Sequence, residues 1–181
     1  MSDLDPLTDI LDRCRSAVMS VDPASKDALI DAILGSRKVF IYGSGRSGLV
    51  GQLFAVRLVQ LGLDVHFVGE MTTPIIGKDD LTLLISNTGK TSSVVQTAII
   101  ARRIGSKIIS VTGREECALN EVTDIPIVLR IDHDEEVART APLGTLFEDS
   151  ALLLFDCIVC DIMEREGITE EDMRNRHAIW V

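Results

Sequence analysis

The 181 residues carry a formal net charge of -10 and are 46% hydrophobic, 25% charged and only 4% aromatic. This length suits one compact α/β unit with a full core, and the acidic balance argues against nucleic acid as a partner, because phosphate backbones are repelled. A local positive pocket for a small anion is still allowed. With so few aromatics the core is expected to consist of Leu, Ile, Val and Ala, as in a parallel sheet covered by helices. Residues 1–6 are polar and acidic, and the longest apolar run, 151–155, is stopped by Asp156. Neither a secretory leader nor a membrane partner is expected. The cysteines (Cys14, Cys117, Cys157, Cys160) do not form a disulfide pattern. A cytoplasmic location follows as the expectation.

Asp22-Pro23 marks a helix start, an N-cap followed by Pro at the first helical position. Leu29, Ile30, Ile33 and Leu34 give that helix an apolar face, and Gly35 stands near its end. Residues 39–42 form a short apolar run that reads as a buried strand. Leu49, Val50, Leu53, Phe54, Leu58 and Leu61 recur at helical spacing, and Gly62 stops that helix. Strands are predicted at 65–68, 81–85, 107–111 and 125–129, with an amphipathic helix at 94–104. Strands alternating with helices at this pitch imply right-handed βαβ units and a parallel sheet. Such sheets bind ligands beyond the carboxyl ends of their strands. Informative residues are therefore expected after Tyr42, Ile85 and Leu129. Residues 143–163 are apolar on nearly every side, which predicts a helix buried all round and packing against a partner subunit. The tail, 168–181, is short and charged.

Gly43-Ser44-Gly45-Arg46-Ser47-Gly48 follows the first strand and opens a helix. Its glycines permit a tight turn, and the helix start offers free N–H groups to an anion. Taken literally it also matches the dinucleotide fingerprint. That reading wants an acidic residue closing the second strand, where Glu70 comes late, and usually a separate substrate domain. A plain strand-to-helix turn is the bland alternative. Ser86-Asn87-Thr88-Gly89-Lys90-Thr91-Ser92 follows the third strand and opens the next helix. Hydroxyls at 86, 88 and 91 can surround a phosphate. A nucleotide P-loop would need Gly where Leu84 stands. An N-cap cluster would need only one of these hydroxyls. Lys90 at a helix start is locally unfavourable unless an anion is bound.

This pair of loops resembles the SIS (sugar isomerase) domain, over roughly residues 37–165. Within that family the chain is most similar to the 6-phospho-3-hexuloisomerases. The similarity lies in the stretches Phe67-Val68-Gly69-Glu70-Met71-Thr72-Thr73-Pro74 and Pro142-Leu143-Gly144-Thr145-Leu146-Phe147-Glu148, in the short length, and in Arg176-His177. The resemblance implies a flavodoxin-like, three-layer α-β-α sandwich with a five-stranded parallel sheet, and a homotetramer. It implies one SIS domain over 1–181, with N-terminal helices at 1–36, a core at 37–165 and a tail at 166–181. It implies that Ser86, Thr88 and Thr91 hold a sugar phosphate, with Ser44 nearby. Gly45, Arg46, Ser47 and Asn87 complete the candidate substrate-binding set. The implied activity interconverts D-arabino-hex-3-ulose 6-phosphate and D-fructose 6-phosphate, in the ribulose monophosphate pathway of formaldehyde assimilation. The preceding enzyme would be 3-hexulose-6-phosphate synthase. Another sugar-phosphate isomerase, acting on an arabinose or heptose phosphate, and a non-catalytic sugar-phosphate sensor stand as alternatives.

Such an isomerisation needs a base to move a proton between neighbouring carbons and support for the developing oxyanion. It requires no metal and no redox cofactor. Glu148 is the candidate base, although Thr145-x-x-Glu148 also fits a capping box. Glu70 is the second candidate, against a solvated loop carboxylate. His177 is the candidate for ring opening or oxyanion support, against an exposed tail histidine; a tail can reach a neighbouring subunit's site. Arg46 can add positive charge to the pocket or make a surface ion pair. His66 is expected to be structural, and His133 to be solvated in an acidic loop. Cys157 and Cys160 have metal spacing but lack a second cluster, and are expected as buried small hydrophobes.

Overall fold

Asp-Pro pairs start the first two helices. The Asp22 carboxylate accepts the Ser25 N–H at 2.9 Å, and Asp5 repeats the device with Thr8 at 3.1 Å. The structure, a computed structural model, describes residues 5–132 and 134–178. Helices α1 (Pro6–Met19) and α2 (Pro23–Gly35) lead into β1 (Val39–Gly43), α3 (Gly45–Gln60) and β2 (Val65–Phe67). Then come β3 (Leu81–Ser86), α4 (Ser92–Ile104), β4 (Lys107–Thr112), a 3-10 turn (Asn120–Val122) and β5 (Ile125–Val128). Helices α5 (Glu135–Thr140), α6 (Thr145–Glu166) and α7 (Glu170–Asn175) follow. The sheet order is β2-β1-β3-β4-β5, and every pairing is parallel.

Side chains of a strand alternate between faces, and here each face meets a different layer. Val39 and Ile41, Leu81, Leu83 and Ile85, and Ile109 and Val111 join the cluster built with α2, α3 and α6. Leu84 and Ile108 face the other way, toward Val94, Ala98 and Ala101 of α4. All six residues of β3 are buried, as the central strand of a covered sheet requires. The sandwich is unequal. Three helices cover one face, while α4 and the connecting segments cover the other.

The expected five-stranded parallel α/β sandwich is present. Its core departs from expectation in one respect. Although aromatics are scarce, Phe40, Phe54, Phe147 and Phe155 are all buried, and Phe54 stacks on Phe155 at 4.2 Å between α3 and α6. Few aromatics therefore still anchor the largest core volumes. The apolar α6 is not buried all round: α1, α2 and α3 of the same chain cover much of it, while Leu153, Asp156, Cys157 and Cys160 leave one edge exposed. Its Cys157 and Cys160 are exposed rather than buried, because a residue pair three apart shares one helix edge and this edge faces outward. Among the exposed apolar side chains, Leu49, Leu53, Val56 and Val59 form a row along α3. No helix among the described residues is long and apolar enough to cross a membrane.

Candidate functional site

β1 and β3 are neighbours whose chains leave in opposite directions, β1 through α3 toward β2 and β3 through α4 toward β4. This is the switch point at which an open α/β sheet offers a crevice. The two motif loops meet there. Their helices share an uncommon feature: the N-cap residues Ser44 of α3 and Thr91 of α4 make no side-chain cap hydrogen bond. The first-turn N–H groups are thus left for another acceptor.

In the first loop the glycines divide their work. A Cβ on Gly48 would stand 2.5 Å from the Gly43 carbonyl oxygen, so these two glycines let strand and helix touch. Gly45, at φ +59°, makes the turn into open space. Two of the three glycines of the dinucleotide-like spacing, Gly43 and Gly48, thus have a packing role. In the second loop Ser86 and Thr91 bond to each other, Oγ to Oγ1 at 3.2 Å. Thr88 Oγ1 accepts the Lys90 N–H at 3.3 Å. Ser86 is buried, Thr91 half-buried and Thr88 exposed, so the hydroxyls step outward from the sheet.

Glu148 comes to the first loop from the start of α6. The residue is 9% exposed. Arg46 Nε stands 3.0 Å from Oε2, an ion pair whose N–H is not aligned for a hydrogen bond. Ser47 Oγ donates weakly to Oε1 at 3.5 Å. The carboxylate curls over Gly144, where a Cβ would approach Oε1 to 2.8 Å. Burial pushes the Glu148 carboxyl above its ordinary value; the Arg46 guanidinium pulls it down, Asp149 adds to the rise and Ser47 opposes it. The capping-box reading fails. Gly144 is the N-cap of α6, Thr145 Oγ1 donates instead to the Pro142 carbonyl at 2.8 Å, and the Glu148 side chain makes no cap. A partly desolvated carboxylate poised beside a cation has the features of a general base.

The structure brings Arg46, Ser47 and Glu148 together, and Ser86 with Thr91, but not all the candidates. Glu70 and His177 line a separate cleft of about 790 Å³ along the outer side of α3, with Gln52, Val56 and Arg176. His177 is exposed, and its Nδ1 lies 3.0 Å from the Ala178 carbonyl. The tail is docked: Arg176 Nη1 donates to the Leu61 carbonyl at 3.2 Å, a cation at the end of α3. His66 pairs with Asp64 at 2.8 Å and packs on Phe40, a structural place. His133 lies outside the described residues. No group of three or more His, Cys, Asp or Glu among the described residues could hold a metal ion.

After β5, where site residues were expected beyond Leu129, Arg130, Ile131 and Asp132 line another cleft with Asp9 and Arg13 of α1; the end of β4 borders the second loop. The Gly113 N–H donates to the Asn87 carbonyl at 2.9 Å, and a Cβ on Gly113 would collide with Asn87 Oδ1. A glycine directly after the fourth strand was the available signal. Gly144 and Asp149, beside the Glu148 carboxylate, had no local signal at all.

The sequence profile of the SIS domain matches residues 32–153, more than half of the chain. A Methanocaldococcus jannaschii protein named 3-hexulose-6-phosphate isomerase is 41% identical over 153 residues, covering 84% of this chain and 82% of its own. A Bacillus subtilis protein of the same name is 31% identical over 176 residues and 95% of both chains. A solved Methanococcus jannaschii structure, for which that molecular function is inferred, superposes with a TM-score of 0.85 at 36% identity, over 94% of this chain and 98% of that one.

Proposed function

The chain belongs to the SIS domain family, and we propose that it is an isomerase interconverting D-arabino-hex-3-ulose 6-phosphate and D-fructose 6-phosphate through an enediol. Relatives named for this activity span most of the chain. The observation that carries the chemical reading is Glu148, a buried carboxylate whose protonated form is favoured by burial and whose charged form is supported by Arg46. In this reading the Glu148 carboxylate takes the proton from C2 of the 3-ketose. The electron pair moves into a C2–C3 enediol as negative charge develops on O3. O3 gains a proton and the O2 hydroxyl gives one up, and as the carbon-bound proton returns from Glu148 to C3 the carbonyl is left at C2. No electrons enter or leave, so the step needs no redox cofactor.

Ser86, Thr88 and Thr91 hold the phosphate with N–H groups of the α4 start, and Ser44 and Gly45 lie across the crevice. Two uncapped helix starts at one switch point support this placement. His177 serves ring opening or oxyanion support. Because it stands apart from Glu148 within one chain, it acts across a contact between copies. The exposed apolar row on α3, bordering the cleft that His177 lines, supports such a contact in a homotetramer. We further take residues 1–181 as one domain working in the cytoplasm, downstream of a 3-hexulose-6-phosphate synthase.

The test is conversion of D-arabino-hex-3-ulose 6-phosphate to fructose 6-phosphate by the purified protein with a chelator present. Rapid turnover is the expected result. A folded protein without turnover on this sugar, but active on an arabinose or heptose phosphate, would reassign the substrate; one inactive on all three would be a sensor.

A further inference from the structure

β4 carries two buried polar side chains among apolar ones. Ser110 and Thr112 are fully buried, and a buried hydroxyl requires a partner. Both find the same one. Ser110 Oγ donates to Asn120 Oδ1 at 2.8 Å. Asn120 Nδ2 donates to Thr112 Oγ1 at 3.3 Å and to the Arg114 and Glu115 carbonyls at 2.9 Å each. Thr112 Oγ1 donates to the same Arg114 carbonyl at 2.8 Å. The chain leaving β4 is thus wrapped around one amide.

That segment grips the second motif loop from behind. Besides the bond from the Gly113 N–H to the Asn87 carbonyl, the Leu119 N–H donates to the Gly89 carbonyl at 3.0 Å. Gly89 has φ +60°, and the Cys117 side chain occupies the space a Cβ would need there. Backbone bonds at two alternate residues and a close contact between them leave the loop little freedom. Its shape is set by residues 113–119, and theirs by Asn120.

We propose that Asn120 is a positioning residue for phosphate binding: through residues 113–119 it holds the 86–91 loop in the shape that presents Ser86, Thr88 and Thr91 to the sugar phosphate. This rests on the phosphate-loop reading above. Asn120 does not itself meet the substrate, since its amide has two hydrogens for three protein acceptors and its oxygen accepts from Ser110. The effect is one of preorganisation: a loop already in its bound shape loses little freedom when the ligand arrives.

The experiment compares steady-state isomerisation, and competitive inhibition by inorganic phosphate, in wild type, Asn120→Ala, Asn120→Asp, Ser86→Ala and Ser106→Ala. Asn120→Asp keeps the shape and the acceptor for Ser110 but removes the donors, so it decides the matter where Asn120→Ala fails to fold. Ser106, at the opposite end of the sheet, bonds Thr82 and the Asp80 carbonyl at 2.9 Å and controls for lost buried hydrogen bonds. Both Asn120 variants are expected to raise KM and the phosphate inhibition constant about tenfold with kcat within about twofold. Ser106→Ala is expected to lower the unfolding temperature and leave KM alone. Wild-type KM in folded Asn120→Asp, with KM raised in Ser86→Ala, overturns the positioning role and leaves the phosphate loop standing. A loss of kcat at unchanged KM in the Asn120 variants overturns it as well. Unchanged KM in Ser86→Ala overturns the phosphate loop and the positioning role together.

Discussion

The β1–α3 and β3–α4 turns are built to one scheme, strand, glycine-bearing loop and uncapped helix, yet they differ in what their residues do. In the first, Gly43 and Gly48 bring strand and helix into contact, and the chemistry sits in Arg46 and Ser47 facing Glu148. In the second, the hydroxyls of Ser86 and Thr91 engage each other rather than the helix end, and Gly89 makes room for Cys117. One loop gathers charge around a buried carboxylate, and the other presents hydroxyls at a helix start without a side-chain cap. A glycine spacing therefore identifies a close backbone approach, and only the surrounding side chains say whether another chain segment or a ligand comes close.

The contrast breaks most visibly at Glu148. Glu148→Gln is expected to lower kcat by about a hundredfold or more while the protein stays folded. Turnover that survived would move the base to Glu70 or elsewhere and reduce the first loop to packing. Next in size is Gly48→Ala, whose Cβ would stand 2.5 Å from a backbone oxygen. It should destabilise by about 1–3 kcal/mol, read as a lower unfolding temperature. An unshifted temperature would return those glycines to ligand binding.

The second loop is sharpened by Thr91→Val. Its hydroxyl does not cap α4 but bonds buried Ser86, so KM should rise about tenfold, by the loss of a hydrogen bond to a charged phosphate, with a stability cost of about 1 kcal/mol from the lost Ser86 partner. Asp22→Ala, which removes a functioning cap from α2, should cost about 1 kcal/mol of stability with KM intact. An unchanged KM in Thr91→Val would remove its hydroxyl from the phosphate site.

The smallest effect is on pH dependence. Glu148 must be ionised to act as a base, and burial raises its pKa. The acid limb of kcat should therefore lie above the ordinary glutamate range. Arg46→Ala should move it further up and Asp149→Asn back down, since the first removes a charge that lowers the pKa and the second one that raises it. Linkage gives an independent reading. A raised folded pKa means that the folded state holds the proton more tightly. The stability from Glu148 is then present below its unfolded pKa and lost as pH rises through the folded value. Unfolding temperatures of wild type and Glu148→Gln across that window would show the difference, and parallel curves would contradict the shift.

Much of the scaffold was legible along the chain. The strand runs near 39, 65, 81, 107 and 125, the Asp22-Pro23 start and the turn at Gly62 were all readable, because period, capping and chirality act over a few residues. Short α5 and α7 lacked a periodic stretch long enough to mark them. The hydrophobic pattern of α6 pointed to burial all round against a partner subunit, whereas α1, α2 and α3 of the same chain cover much of it and one edge stays exposed.

The sequence by itself determined a parallel α/β sheet with two loops rich in glycine and hydroxyls at strand ends, because each of those features is local. Tertiary structure decided the rest. It placed Glu148 beside Arg46 across about a hundred residues of chain, left Cys157 and Cys160 outside, kept His177 away from Glu148, and set residues 113–119 behind the 86–91 loop. Periodicity encodes which face of an element is buried. Which element covers that face, and which buried polar groups must then find one another, is settled only when the layers close.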